Sequence, residues 1–147
     1  MKIRRAEKKD PTRLLELYRL LEGPYSDVEE LDGEDAERRF EEVLADPNQQ
    51  TLIAETDGEV AGSVVLVIIP NLGHGGAPYA VVENVVVDEA WRDQGIGKAL
   101  MEEAVERARF AGAYKLALCS NVEREEAHRF YVAAGMKHTH AGFEVAP

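Results

Sequence analysis

The chain has 147 residues and a formal net charge of −11, with 45% hydrophobic and 31% charged residues. At roughly 150 residues per domain this reads as one domain over 1–147, and so acidic a balance has the wrong sign for a nucleic-acid binder. The single cysteine, Cys119, excludes an internal disulfide and a four-cysteine zinc site and fits a reducing, cytoplasmic home, while the longest apolar run, Val64–Ile69, is far too short to cross a bilayer.

Lys2–Ala6 reads as a short strand, and the charges of Met1–Arg5 lead us to expect no signal peptide. Asp10-Pro11 has the form of a cap and first turn. Leu14, Leu17, Tyr18 and Leu21 follow at helical spacing until Gly23-Pro24. Ala36, Phe40, Val43 and Leu44 mark a second helix over Glu34–Leu44, stopped by Asp46-Pro47-Asn48. Residues 27–46 carry ten acids against Arg38 and Arg39. That stretch is either a solvated face or a field that gathers a cationic ligand.

Thr51–Thr56 and Glu59–Ile69 are rich in β-branched residues and flank Asp57-Gly58, a hairpin turn signal. A glycine-rich loop from Pro70 to Pro78 leads to a third strand, Tyr79–Val87. A helix starts near Ile96, with Leu100, Met101, Ala104, Val105, Ala108 and Ala111 on one stripe and Gly112 at its end. Tyr114–Ser120 reads as a strand, Glu123–Ala134 as a helix closed by Gly135, and Met136–Val145 as a last extended segment. The order β-α-α-β-β-β-α-β-α-β predicts an α/β fold with a mixed sheet and helices on both faces.

The chemistry concentrates where the Val85-Val86-Val87 strand turns into a helix through Arg92-Asp93-Gln94-Gly95-Ile96-Gly97-Lys98. Free N–H groups at a helix start, with the helix dipole, make an anion site. Arg92 and Lys98 reverse the local sign of an acidic protein. The spacing fits neither a P-loop nor a dinucleotide fingerprint. From the loop alone, an ordinary glycine-rich turn stays open beside a phosphate site.

Arg92-Asp93-Gln94-Gly95-Ile96-Gly97 resembles the Arg/Gln-x-x-Gly-x-Gly/Ala pyrophosphate loop of the GNAT superfamily of acyl-CoA-dependent N-acyltransferases. His128-Arg129-Phe130-Tyr131-Val132-Ala133-Ala134-Gly135-Met136 is similar to its Phe-Tyr-x-x-x-Gly-Phe segment, with Met136 in the usual Phe place. The element order matches the family along nearly the whole chain, most weakly over residues 7–50. Glu83–Val87 and Tyr114–Leu116 resemble the glucosamine-phosphate type. Ser120–Val122 and Ala127–Tyr131 resemble the aminoalkylphosphonate type.

The resemblance implies transfer of an acetyl group from acetyl-CoA to a primary amine of a small molecule, with a central sheet splayed at the cofactor strand. It implies pyrophosphate binding by the N–H groups of Gln94, Gly95, Ile96, Gly97 and Lys98, beside Arg92. The pantetheine arm would pair with Val85, Val86 and Val87, and the Val86 N–H would face the thioester oxygen. Asn121 stands as a second contact to that arm or as a turn residue. Tyr131 matches the general acid for the leaving thiolate, and otherwise reads as a core aromatic.

Glu83 is the candidate base. Regular alternation would put it on the face of Val85 and Val87, and its other reading is an ion pair or a strand end. The acceptor is expected between the acidic segment, the Gly73–Pro78 loop and the last strand, with Tyr18 and Tyr25 near a cationic amine. Arg38, Arg39 and Lys137 are the few cations there for an anionic acceptor. A homodimer is implied, and no membrane or nucleic-acid partner is expected. The alternatives are an acyl-CoA-binding sensor without turnover and a protein N-acetyltransferase. His74, His138 and His140 lack a defined set of three metal ligands, so no metal is expected. Cys119 reads as a small apolar filler.

Overall fold

A computed structural model describes residues 1–22 and 31–146. The elements are β1 (Lys2–Arg5), α1 (Pro11–Glu22), α2 (Gly33–Ala45), β2 (Gln49–Thr56), β3 (Glu59–Ile69), β4 (Tyr79–Val87), α3 (Ile96–Phe110), β5 (Leu116–Ala117) and α4 (Glu125–Ala133). The sheet runs in the order β1-β2-β3-β4-β5, antiparallel until β4 and β5 pair in parallel. The β2–β3 hairpin turns at Asp57-Gly58, where Asp57 takes φ 53°.

Period-two alternation splits the core between the two faces. Leu52, Ala54, Val64, Leu66 and Val82 meet Ile96, Leu100, Met101, Ala104 and Ala108 of α3. Ile53, Val60 and Val86 meet Leu14 and Leu17 of α1, with Phe40 and Leu44 of α2 at the margin. The mixed sheet with helices on both faces is therefore as expected. Val105 departs from the predicted stripe, being 38% exposed.

Near the C-terminus the chain is less regular than the sequence suggested. The strand expected over Tyr114–Ser120 shrinks to Leu116–Ala117, and Met136–Val145 forms no strand. Beyond Ala117 the chain parts from β4, so neither segment has a long edge to pair with. In that last segment Met136 packs against the α3-side core, but Phe143 and Val145 are 96% and 87% exposed. Their apolar surface does not offset the entropy of fixing a strand. Among the described residues no helix is long and apolar enough to cross a membrane.

α1 is fastened at its N-terminal end. Asp10 caps it through its carbonyl, which accepts from the Leu14 N–H at 3.0 Å. The Asp10 carboxylate turns back instead, accepting from both terminal nitrogens of Arg4 (2.7 and 3.0 Å) and from the Glu7 N–H (2.7 Å). Arg13 bonds the Val60 carbonyl and Asp88, tying this helix to the end of β4.

Candidate active site

Midway along β4 the ladder slips. Val65 faces Glu83 and Ser63 faces Val86, so two steps on β3 match three on β4. Asn84 takes up the extra residue at φ 50°, a left-handed conformation that Asn tolerates better than most residues. One added residue exchanges the two faces of everything beyond it. Val82 before the slip and Val85 and Val87 after it all pack on the α3 side, whereas Val86 joins the α1 side. Glu83 therefore does not share a face with Val85 and Val87, contrary to the alternation argument.

The slip also sorts the amides. The Val86 carbonyl would lie 2.7 Å from a Cβ placed on Gly62, and the Asp88 N–H reaches the Ala61 carbonyl at 2.9 Å. In an antiparallel ladder one residue's N–H and C=O point the same way and alternate along the strand. Val86 thus turns its N–H toward β3. Val85 and Val87 turn theirs to the side that β5 vacates after the Val81/Ala117 pair. The donor expected at Val86 passes to Val85.

The loop after β4 has an unpartnered row of donors. Asp88 accepts from the Ala90 N–H at 2.9 Å and from Arg13. The Arg13 guanidinium, followed by that N–H, holds the Asp88 carboxyl below its usual range. Gly95 caps α3 at φ 78°, where a side chain would be strained, and the first helical bond runs from Ala99 N–H to the Gly95 carbonyl at 3.0 Å. Among the described residues, the N–H groups of Gln94, Gly95, Ile96, Gly97 and Lys98 find no acceptor, as the first turn of a helix dictates. A Cβ on Gly97 would stand 3.1 Å from two ring carbons of Phe130. The glycine therefore lets α3 begin directly against α4. Arg92 lies 3.3 Å from Glu89 and Lys98 lies 3.7 Å from Glu102, on exposed side chains that stay free to meet an anion.

Where β4 and β5 separate, a cleft of about 140 Å³ opens between Val82, Glu83, Asn84 and Val85 on one wall and Leu118, Cys119, Arg124 and Tyr131 on the other, with Leu21 at its edge. Burial pushes the Tyr131 phenol above its ordinary pKa, Arg124 pulls it down and Glu83 pushes it up further. The cleft thus brings together the two predicted catalytic side chains. Among the described residues, neither Glu83 nor Arg124 has an ion-pair partner within 4.0 Å. Cys119 is exposed at this cleft, so the buried-filler reading fails.

The Asn121 side-chain oxygen accepts from the Glu123 N–H at 2.8 Å, a turn role that leaves its NH₂ available to a ligand. Arg38 and Arg39 are held by Asp35 (2.9 Å) and Glu42 (2.6 Å) on the surface of α2. Tyr18 packs against the α1-side core. Tyr25 and the acids of 27–30 lie outside the described residues. A larger groove of about 370 Å³ between β1, α2 and β2 holds none of the predicted site residues.

Arg124 lines the cleft without having been singled out from the sequence. It stands at the N-cap of α4, seven residues before Tyr131 and outside the helical turns that carry that tyrosine.

The acetyltransferase (GNAT) family model matches residues 14–136. An aminoalkylphosphonate N-acetyltransferase of Salmonella typhimurium is 37% identical over 117 residues, which cover 80% of this chain and 75% of that protein. A solved structure from Agrobacterium tumefaciens str. C58 superposes with a TM-score of 0.93 at 33% identity, covering 100% of both chains. The glucosamine-6-phosphate N-acetyltransferase of Arabidopsis thaliana superposes with a TM-score of 0.85 at 25% identity, over 99% of this chain and 97% of that one.

Proposed function

Because the chain belongs to the acetyltransferase (GNAT) family, we propose that it moves an acetyl group from acetyl-CoA to the primary amine of a small molecule by direct attack in a ternary complex. The observation that carries this is the convergence of three features: unpartnered amides at 94–98, outward amides of Val85 and Val87, and a cleft holding Glu83 and Tyr131.

The donor set fits acetyl-CoA. A diphosphate is received by the Gln94–Lys98 amides at the positive end of α3, with Arg92 and Lys98 beside it. The amide-bearing arm adds as a strand along Val85 and Val87, and the Asn121 NH₂ reaches it from the far wall. Acetyl-CoA supplies the activated thioester, and the chain's own residues handle the protons and the developing charge.

The amine must first lose a proton. At a pKa of ~10.4 only about one molecule in 10³ is neutral at pH 7, and making it so costs roughly 4–5 kcal/mol. Glu83 receives that proton, directly or through one water, and its carboxylate also attracts the incoming ammonium. Val85 donates its N–H toward the thioester oxygen as negative charge gathers there. Tyr131, a phenol that is protonated at neutral pH even at its ordinary pKa of ~10, donates toward the departing sulfur. A single-domain, cytoplasmic dimer is part of this reading, and the dimer is checked by sedimentation equilibrium.

The test is release of free thiol from acetyl-CoA across a panel of small amines, with the product identified by mass. Amine-dependent release is the expected outcome. Binding of CoA with no release for any amine would overturn the proposal in favour of a sensor.

A further inference from the structure

We infer that Arg124 is the anion-recognising residue of the acceptor site, so that the acceptor is a compact primary amine carrying an oxyanion, phosphonate, phosphate or carboxylate, a few bonds from its nitrogen. The inference rests on the acetyl-transfer reading above and adds the acceptor's charge pattern.

The chain is rich in carboxylates, and most of its other arginines use them. Arg4, Arg13, Arg38, Arg107 and Arg129 each hold an acid within 4.0 Å. Glu123, Glu125 and Glu126 flank Arg124 in sequence, yet none of them pairs with it. Arg124 lines the same cleft as Tyr131 and Glu83, and Glu83 is also unpaired among the described residues. A cation and an anion facing one small cavity, neither paired with the other nor with a neighbour, complement a ligand of opposite polarity at its two ends. The ammonium goes to Glu83, where it must be deprotonated. The oxyanion goes to Arg124, whose planar fork matches such groups with two parallel hydrogen bonds.

Charge points the same way. In a protein of net −11, an anionic acceptor needs a dedicated cation to offset the surrounding field. Arg38 and Arg39 lie on the surface of α2, and among the described residues Arg124 is the cation that lines this cleft.

The experiment compares acetyl-CoA turnover with 2-aminoethylphosphonate, β-alanine and the neutral propylamine for the wild type, Arg124→Gln and Arg124→Lys. CoA affinity is measured by calorimetry for each. We expect the wild type to favour at least one anionic amine over propylamine by tenfold or more in kcat/KM. Arg124→Gln should reduce that preference at least tenfold, through KM, and Arg124→Lys should restore part of it. Phosphonate and carboxylate substrates differ in which arm shows the larger preference. Turnover without any preference, or an equal loss for charged and neutral amines, overturns this inference alone. A fall in CoA affinity that matches the fall in kcat/KM overturns it as well, assigning Arg124 to the cofactor. No turnover with any amine overturns the acetyl-transfer reading itself.

Discussion

Replacing Tyr131 by Phe removes one hydroxyl from the cleft and keeps the ring that packs beside Phe130, at a centroid distance of 5.3 Å. The size of the effect comes from two acidities. A coenzyme thiol ionises near ~8.5 and a free phenol near ~10, and burial lifts the Tyr131 phenol further. Complete proton transfer to the departing thiolate is therefore uphill by at least ~1.5 units, about 2 kcal/mol. In the proposed mechanism Tyr131 therefore serves mainly as a hydrogen-bond donor to developing negative charge. Such a bond is worth about 1.5–3 kcal/mol, and each ~1.36 kcal/mol is a tenfold change in rate. The Phe variant should turn over roughly ten- to 150-fold more slowly, with CoA affinity unchanged within about twofold. Thiol release measured against pH gives a second readout, because any alkaline limb from the phenol lies above its ordinary ~10 and disappears in the variant. A wild-type rate would remove Tyr131 from the mechanism. A 10⁵-fold loss would mean that the hydroxyl does far more than assist the leaving group.

Three further outcomes rest on the packing. Gly62→Ala puts a Cβ 2.7 Å from the Val86 carbonyl and 3.3 Å from Val87 Cα. Since backbone must yield, urea denaturation should show about 1–3 kcal/mol of lost stability, and an unchanged midpoint would show that the slip in β4 is not rigid. Gly97→Glu presses on Phe130 and brings negative charge among the loop amides, so calorimetry should show CoA binding abolished; retained tight binding would refute the diphosphate assignment. Asp10→Ala leaves the nearly buried Arg4 with Glu55 alone and should cost about 3 kcal/mol, the low end for breaking a buried pair. Burial raises the Asp10 carboxyl, but the Arg4 guanidinium and the Glu7 N–H outweigh it and hold the pKa below its usual value. This contribution is thus present above about pH 4 and is lost as pH falls through the lowered native pKa. An acid-unfolding curve identical to wild type in Asp10→Ala would contradict it.

What the sequence disclosed was whatever depends on neighbours along the chain. The turn at Asp57-Gly58, the buried face of α3 and its end at Gly112 (φ 75°) are local events written in local residues. The two blocks at 92–97 and 128–136 were legible for the same reason, since both are continuous. The slip at Asn84 was not, because it is a mismatch between two strands and no property of β4 alone reveals it. That one feature misplaced Glu83 and moved the expected amide donor from Val86 to Val85. The shortness of β5 and the irregular segment after Met136 were hidden too, because pairing length is set by where strands diverge in space. Arg124 was missed because a cation beside three glutamates reads as a paired surface residue, and only the cleft shows that it is not.

The Arg13 bonds to Val60 and Asp88 carry a mechanical consequence. They couple the N-terminal end of α1 to the base of the turn proposed to receive the diphosphate. Under that proposal a ligand seated on the turn would bias the frame on which α1 rests, and the same bonds would carry the effect equally in the other direction.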